Sequence, residues 1–292
     1  MRSLAEFIMR GPLQGALVAA AATASLFLAW LGAAAVALVV LRHGVNRATP
    51  VLLAALLPAA FWMYYGDIGP LTTVLCALVL AWVLRLSRSW SATLLATPFV
   101  VGSWCLLIVL LLPEYVETVR AVFEQVVEGI KQRMSQSGGD AELQALERIG
   151  APSGLQIMGM LALLQAMTTL FSVVVARWWQ ALLYNPGGFR EEFHQMRLQR
   201  MHALLLVAGF VALVAVPDYS FWAWLFIAPL LVAGLALVHG MADIMGWPAR
   251  WLVIFYLLAF FIFRPLLALL AACAVADSAL DFRSRLAAAR KG

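Results

Sequence analysis

Arg177-Trp-Trp-Gln-Ala-Leu-Leu-Tyr-Asn-Pro-Gly-Gly-Phe-Arg-Glu-Glu-Phe-His194 is where a very apolar chain turns dense in charge and aromatic rings, before running on to Arg197 and Arg200. Long hydrophobic segments flank it on both sides, so it reads as a loop at a membrane surface. Asn185-Pro186-Gly187-Gly188 is a turn signal that stops any helix entering it. Trp178, Trp179 and Tyr184 carry amphipathic rings of the kind that collect at headgroup level, and arginines such as Arg177 and Arg190 suit the cytoplasmic side. Residues 184–200, with Phe189 among them, are therefore expected to form a cytoplasmic loop. Its reading is either an interfacial anchor with a short amphipathic helix or a docking or gating element.

Composition carries the same message along the whole chain. The 292 residues are 64% hydrophobic and 12% charged, with mean hydropathy +0.92, against about 45–50% apolar and about 25% charged in soluble domains. The apolar residues come in continuous runs, whereas a transmembrane barrel would alternate them with polar ones. At about 20 residues per crossing, the length allows roughly eight spans. The expected fold is thus all-α, a single polytopic transmembrane helical bundle over residues 1–292 with an extra-membrane hairpin at 113–150.

All but two of the 20 basic residues are arginine, the exceptions being Lys131 and Lys291. They gather at the ends of apolar runs, which is topology information, and the positive net charge does not point to nucleic acid. Cys76, Cys105 and Cys273 lie inside apolar segments without metal-ligand spacing and read as packing residues. The first apolar run, about residues 12–41, is longer than a bilayer core and is expected to break near Leu31 and Gly32. Further spans are expected over about 50–65, 71–84, 90–112, 154–184, 201–216 and 221–238.

Residues 113–150 differ from the rest: seven carboxylates stand against four basic side chains, which places the segment on the outer side. Val116, Val119, Phe123, Val126 and Ile130 recur at helical spacing, and a second amphipathic helix is expected from Asp140 to Gly150. The pair forms either a solvated hairpin or a lid over an outward cavity. The last third leaves a parity question. If both termini are cytoplasmic, the crossings must be even in number, which a broken first run and a single last run do not give; either the first run is a single crossing with the N-terminus outside, or the last is a hairpin of two short pieces folded at Arg264-Pro265.

Candidate functional groups are few. Arg264, inside an apolar run, needs a partner or water, with Asp243, Asp277 and Asp281 as candidate counter-charges and a cavity residue as the sharper reading. His239 and Asp243 share a helical face at a two-ligand spacing, which falls short of a metal site. Gln165 and Gln180 are polar within a long helix, where glutamine finds a helix partner. The single Glu191-x-x-His194 reads as a solvated face. With no nucleophile elbow, phosphate loop or metalloprotease helix, no catalytic residue, metal or cofactor is expected, and the chain reads as a non-enzyme.

Three stretches carry a resemblance: Ala176 to Phe193 around the central loop, Asp277-Ser-Ala-Leu-Asp-Phe-Arg283, and Gly234-Leu-Ala-Leu-Val-His239. Through them the chain resembles the YybS-like family of bacterial multi-pass inner-membrane proteins, a family defined by sequence and largely without assigned activity. That family in turn is loosely similar to the substrate-binding membrane subunits of energy-coupling-factor transporters. The resemblance implies a six-helix core with a ligand cavity open to the outside, hence a small-molecule-binding or transport-related subunit. The other reading is a non-enzymatic membrane scaffold or assembly factor docking a cytoplasmic or membrane protein partner.

Overall fold

Inside a bilayer no water is present to satisfy backbone N–H and C=O groups, so a chain of continuous apolar runs is driven into helices. The computed structural model describes residues 1–136 and 151–289, and among these the chain is all-α, without strands. In chain order the helices are α1 (Arg2–Met9), α2 (Pro12–Thr23), α3 (Ala29–His43), α4 (Val45–Tyr64), α5 (Gly69–Ser87), α6 (Trp90–Leu111) and α7 (Pro113–Gln136). They continue as α8 (Gly154–Tyr184), α9 (Gly188–Gln195), α10 (Arg200–Val214), α11 (Trp224–Ile244), α12 (Arg250–Phe261), α13 (Phe263–Leu280) and α14 (Phe282–Ala289). Among the described residues seven stretches are long and apolar enough to cross a membrane, or eight if α9 and α10, bent by 63°, count as one. The protein is a multi-pass transmembrane helical bundle.

The first apolar run does break, but earlier than its sequence suggests. α2 ends at Thr23, a single 3₁₀ turn spans Leu26–Leu28, and α3 begins at Ala29. Gly32 is not the breaker. It lies inside α3, where a Cβ would come 2.1 Å from Thr23 Oγ1 and 2.9 Å from the Ala19 carbonyl. The glycine is needed for close approach of α3 to α2, which folds back on it as an antiparallel hairpin. The same logic makes α3 the centre of the bundle: every residue from Ala33 to Val40 is buried, and the alanines among them let α2, α4, α5 and α8 pack closely against it.

The far end of the chain mirrors this arrangement. α11 and α13 run parallel and touch backbone to backbone, since a Cβ on Gly234 would come 2.6 Å from the Leu270 carbonyl. α12 leaves the end of α11, and the chain reverses at Ile262 into α13, with Pro265 in the first turn where its missing N–H costs nothing. The terminal run is therefore a hairpin. α2 and α12, with 12 residues each, are about 18 Å long and short of the roughly 30 Å hydrocarbon core. Each still carries the chain away from the face it left, and the full helix that follows brings it back.

The first and last described helices, α1 and α14, consequently lie on one face. Arg10 borders a cleft with His43 and Arg47, and at the other end Asp281 is paired to Arg197 of the central loop. α7 starts at the opposite end of α6, whose first residue, Trp90, bonds to the loop. Beyond its first turns α7 leaves the bundle. Val116 is its one buried residue, whereas Val126 and Ile130 are 57% and 47% exposed, so the expected apolar stripe packs only at its root. The expected second helix of the hairpin, 140–150, falls outside the described residues.

Candidate functional site

The site is built from the central loop upward. Asn185 to Gly188 closes a β-turn, with the Gly188 amide donating to the Asn185 carbonyl at 3.0 Å. Pro186 fixes the first corner and Gly187 takes φ +89° at the second, a left-handed conformation that favours glycine. α9 follows at once, and its side chains are distributed to three neighbours. Phe189 and Phe193 stack along the inner face at 5.8 Å, and the Phe193 ring meets His239 of α11 edge-on at 5.5 Å. Met196 and Leu198, 3% and 1% exposed, anchor the segment that bends into α10.

Glu192 points toward α6 and α8. It accepts from Arg177 Nη2 at 2.6 Å and from Arg177 Nε at 3.0 Å on both oxygens, while the Trp90 indole donates to the same carboxylate. Arg177 Nη1 donates in turn to Gln180 at 2.6 Å. A planar guanidinium gripping a carboxylate in this bidentate way fixes orientation as well as charge. The cleft beside this cluster, about 760 Å³, is also lined by Arg42, Arg85 and Arg88.

On the other side, Arg190 pairs with Asp243 of α11 at 2.6 Å, and His194 Nδ1 lies 3.3 Å from its second oxygen. The His194 carbonyl accepts from Arg283 Nη1 at 2.8 Å. Arg283 is 8% exposed and lies 3.5 Å from Asp277, itself 1% exposed. At that distance the contact is an ion pair rather than a hydrogen bond, and Arg283 Nε and Nη2 lack hydrogen-bond acceptors. Burial pulls the Arg283 guanidinium below its ordinary pKa, and the Asp277 carboxylate opposes that shift. Asp277 also caps the start of α14 by accepting from the Phe282 amide at 2.9 Å. Arg197 pairs with Asp281 at 2.6 Å, and the Gln199 amide and His202 share the Ser91 hydroxyl at 2.7 and 2.8 Å. The loop is thus stitched to α6, α8, α11 and the segment around α14.

Several sequence expectations need correction against this geometry. Arg264 is exposed in the first turn of α13, with no salt-bridge partner among the described residues. The carboxylates expected to neutralise it, Asp243, Asp277 and Asp281, are paired to Arg190, Arg283 and Arg197 instead. Asp277 lies thirteen positions beyond Arg264, about 20 Å along a helix. Trp179 is no interfacial anchor: it is fully buried, its indole N–H without a partner, because α8 turns that face into the core, while Trp178 is half-buried. His194 is turned inward rather than solvated, drawn by Asp243. Gln165 accepts from Thr73 at 2.8 Å and joins α8 to α5. His239 meets the Tyr256 hydroxyl at 2.8 Å beside the central loop, where Phe193 packs on its ring. Among the described residues Gln165 and His239 thus have different neighbours, and Arg264 shares none of these contacts.

Sequence reasoning treated Arg42, Arg85 and Arg88 only as topology markers and missed Glu192, Trp90 and Arg197 as contacts. The available signal was that Glu191 and Glu192 are the only carboxylates in an arginine-dense stretch, so one of them had to be an internal counter-ion. Among the described residues no group of three His, Cys, Asp or Glu side chains is arranged to hold a metal. No family model matches the chain, and neither a curated protein nor a solved structure matches it.

Proposed function

We propose that the protein is a non-enzymatic scaffold of a bacterial inner membrane that docks a cytoplasmic partner through its arginine-rich face. One observation carries this reading: the chemically distinctive side chains converge on a single face, held in place by ion pairs that run from Glu192 to Asp281. A surface ordered before binding loses less conformational entropy when a partner arrives. The concentration of arginine on that face supports its assignment to the cytoplasm by the positive-inside rule. The polar groups that a solute cavity within the bundle could use, Arg264, His239 and Gln165, have different neighbours, and this favours the docking reading over a solute-binding, transport-related subunit.

The test is site-specific photo-crosslinking in cells from position 191, exposed on α9. One recurring protein adduct is expected, and Glu192→Gln, which frees the loop from Arg177 and Trp90, should weaken it. Absence of an adduct at 191 would overturn the docking reading. Solute uptake by proteoliposomes of the pure protein would replace it with the transport reading.

A further inference from the structure

The cleft between the ends of α3, α5 and α8 has a charge balance that the ion pairs on the page do not close. Four guanidinium groups line it, from Arg42, Arg85, Arg88 and Arg177, against the single carboxylate of Glu192. Glu192 is already engaged by Arg177 and Trp90. Three positive charges therefore face a space of about 760 Å³ without a counter-ion among the described residues.

Contacts hold the side chains of Arg42 and Arg85, and a backbone turn sets the direction of Arg88. Arg42 lies with its guanidinium carbon 4.0 Å above the Tyr184 ring, a stacking that fixes the plane while leaving every N–H free to donate along its edge. Arg85 donates through Nη1 to the Leu41 carbonyl at 2.6 Å. Its guanidinium lies against Gly44, the turn residue that ends α3 at φ +88°. Arg88 holds φ +51°, one of two non-glycine residues with positive φ among the described residues. That conformation ends α5 and turns Arg88 onto the cleft rim, at a cost a glycine would avoid. Beside these donors stand the buried Trp90 and the exposed Leu86, so a polar site borders apolar surface at the membrane edge.

We infer that this cleft binds a phosphate ester through Arg42, Arg85 and Arg88, and that the phosphate is the headgroup of an anionic lipid. Tetrahedral, doubly accepting oxyanions match planar guanidinium donors, and basic clefts between helices at a membrane face recognise anionic headgroups. The cleft volume exceeds what a bare phosphate fills, and the apolar border suits the glycerol and first methylenes of a lipid. The inference is independent of protein docking and does not rest on it.

Native mass spectrometry of the full chain, released from vesicles of phosphatidylglycerol and phosphatidylcholine in equal amounts, tests it. The wild-type protein should retain phosphatidylglycerol in preference to phosphatidylcholine. Arg88→Gly keeps the left-handed backbone and removes the guanidinium, and Arg42→Gln removes a second charge without touching the backbone. Each should weaken retention about fivefold, and the two together more, whereas Arg250→Gln, on α12, should change nothing. Thermal unfolding of Arg88→Gly at or above the wild-type temperature excludes misfolding as the cause. Displacement of the lipid by millimolar inorganic phosphate would leave the phosphate site standing and assign it to a soluble ligand. Equal retention of both lipids, or of phosphatidylglycerol by wild type and the double variant, would overturn the inference.

Discussion

Arg283 shows how a charge survives burial at the edge of this bundle. Its guanidinium has one hydrogen bond, to the His194 carbonyl, and one close carboxylate, Asp277, which is even more buried. Removing one partner of a buried pair strands the other, so Asp277→Ala should destabilise the protein by about 3 kcal/mol, measured by reversible unfolding in bicelles. A loss below roughly 1 kcal/mol would mean that water already solvates Arg283. Gly187→Ala should cost about 1 kcal/mol through its positive φ, whereas Gly188, at the start of α9, has an ordinary backbone and is limited by the Asn185 side chain. Asp281 gives a pH test. Slight burial raises its pKa, but the bonds to Ser284 and the Arg197 guanidinium outweigh that and hold it below the usual carboxylate range. A depressed folded pKa means the clasp is fully present above the unfolded value of about 3.9 and is lost as pH falls through the lower folded value. A spin label at Ala288 should stay immobilised from pH 7 to about 4 and gain mobility only below that, and Arg197→Gln should abolish the dependence. At this scale the turn at Asn185 to Gly188 was legible because its chemistry is local. The partner of each arginine was not, because pairing depends on which helix ends the fold brings together.

Among the elements, the existence of the long apolar helices was legible and their ends less so: the 31-residue α8 begins and ends where its hydropathy and the Asn185-Pro186 turn place it, whereas α4 starts five residues before its expected span and α11 runs six beyond it. Its start is sharpened by a capping box, Ser153 and Gln156 each bonding the other's backbone amide. The first run was misjudged at Gly32 because a glycine that breaks a helix and a glycine that lets two helices touch look the same in one sequence. Gly234 is the same kind of residue between α11 and α13. Gly234→Ala must move the Leu270 backbone, since its Cβ would come 2.6 Å from that carbonyl, and should cost about 1–3 kcal/mol by overpacking, read in the same unfolding measurement. α7 is the opposite case. Its amphipathic pattern is real, yet only Val116 is buried, so amide exchange should be slow through the first two turns and fast from Glu124 onward. Uniform slow exchange along α7 would show that something covers Val126 and Ile130.

At the scale of the whole molecule, the two short helices decide the topology. Hydropathy alone counts seven or eight spans, and neither α2 nor α12 is long enough to register, so the parity of the crossings was open in the sequence. The structure closes it by pairing each short helix with a full-length neighbour, which returns α1 and α14 to the face that carries Arg42, Arg177 and Arg197. Asp277 to Arg283 and the central loop, distant in sequence and both conspicuous there, meet on that face. Cysteine accessibility tests this arrangement most directly. In a background with Cys76, Cys105 and Cys273 replaced, single cysteines at Ser3, Glu191, Ser284 and Ser135, all exposed, are exposed to a membrane-impermeant maleimide in inverted and right-side-out vesicles. Positions 3, 191 and 284 should label only in inverted vesicles, and position 135 only in right-side-out ones. Labelling of position 135 from the same side as 191, or of 3 and 284 from opposite sides, would contradict a bundle whose termini and central loop share one face.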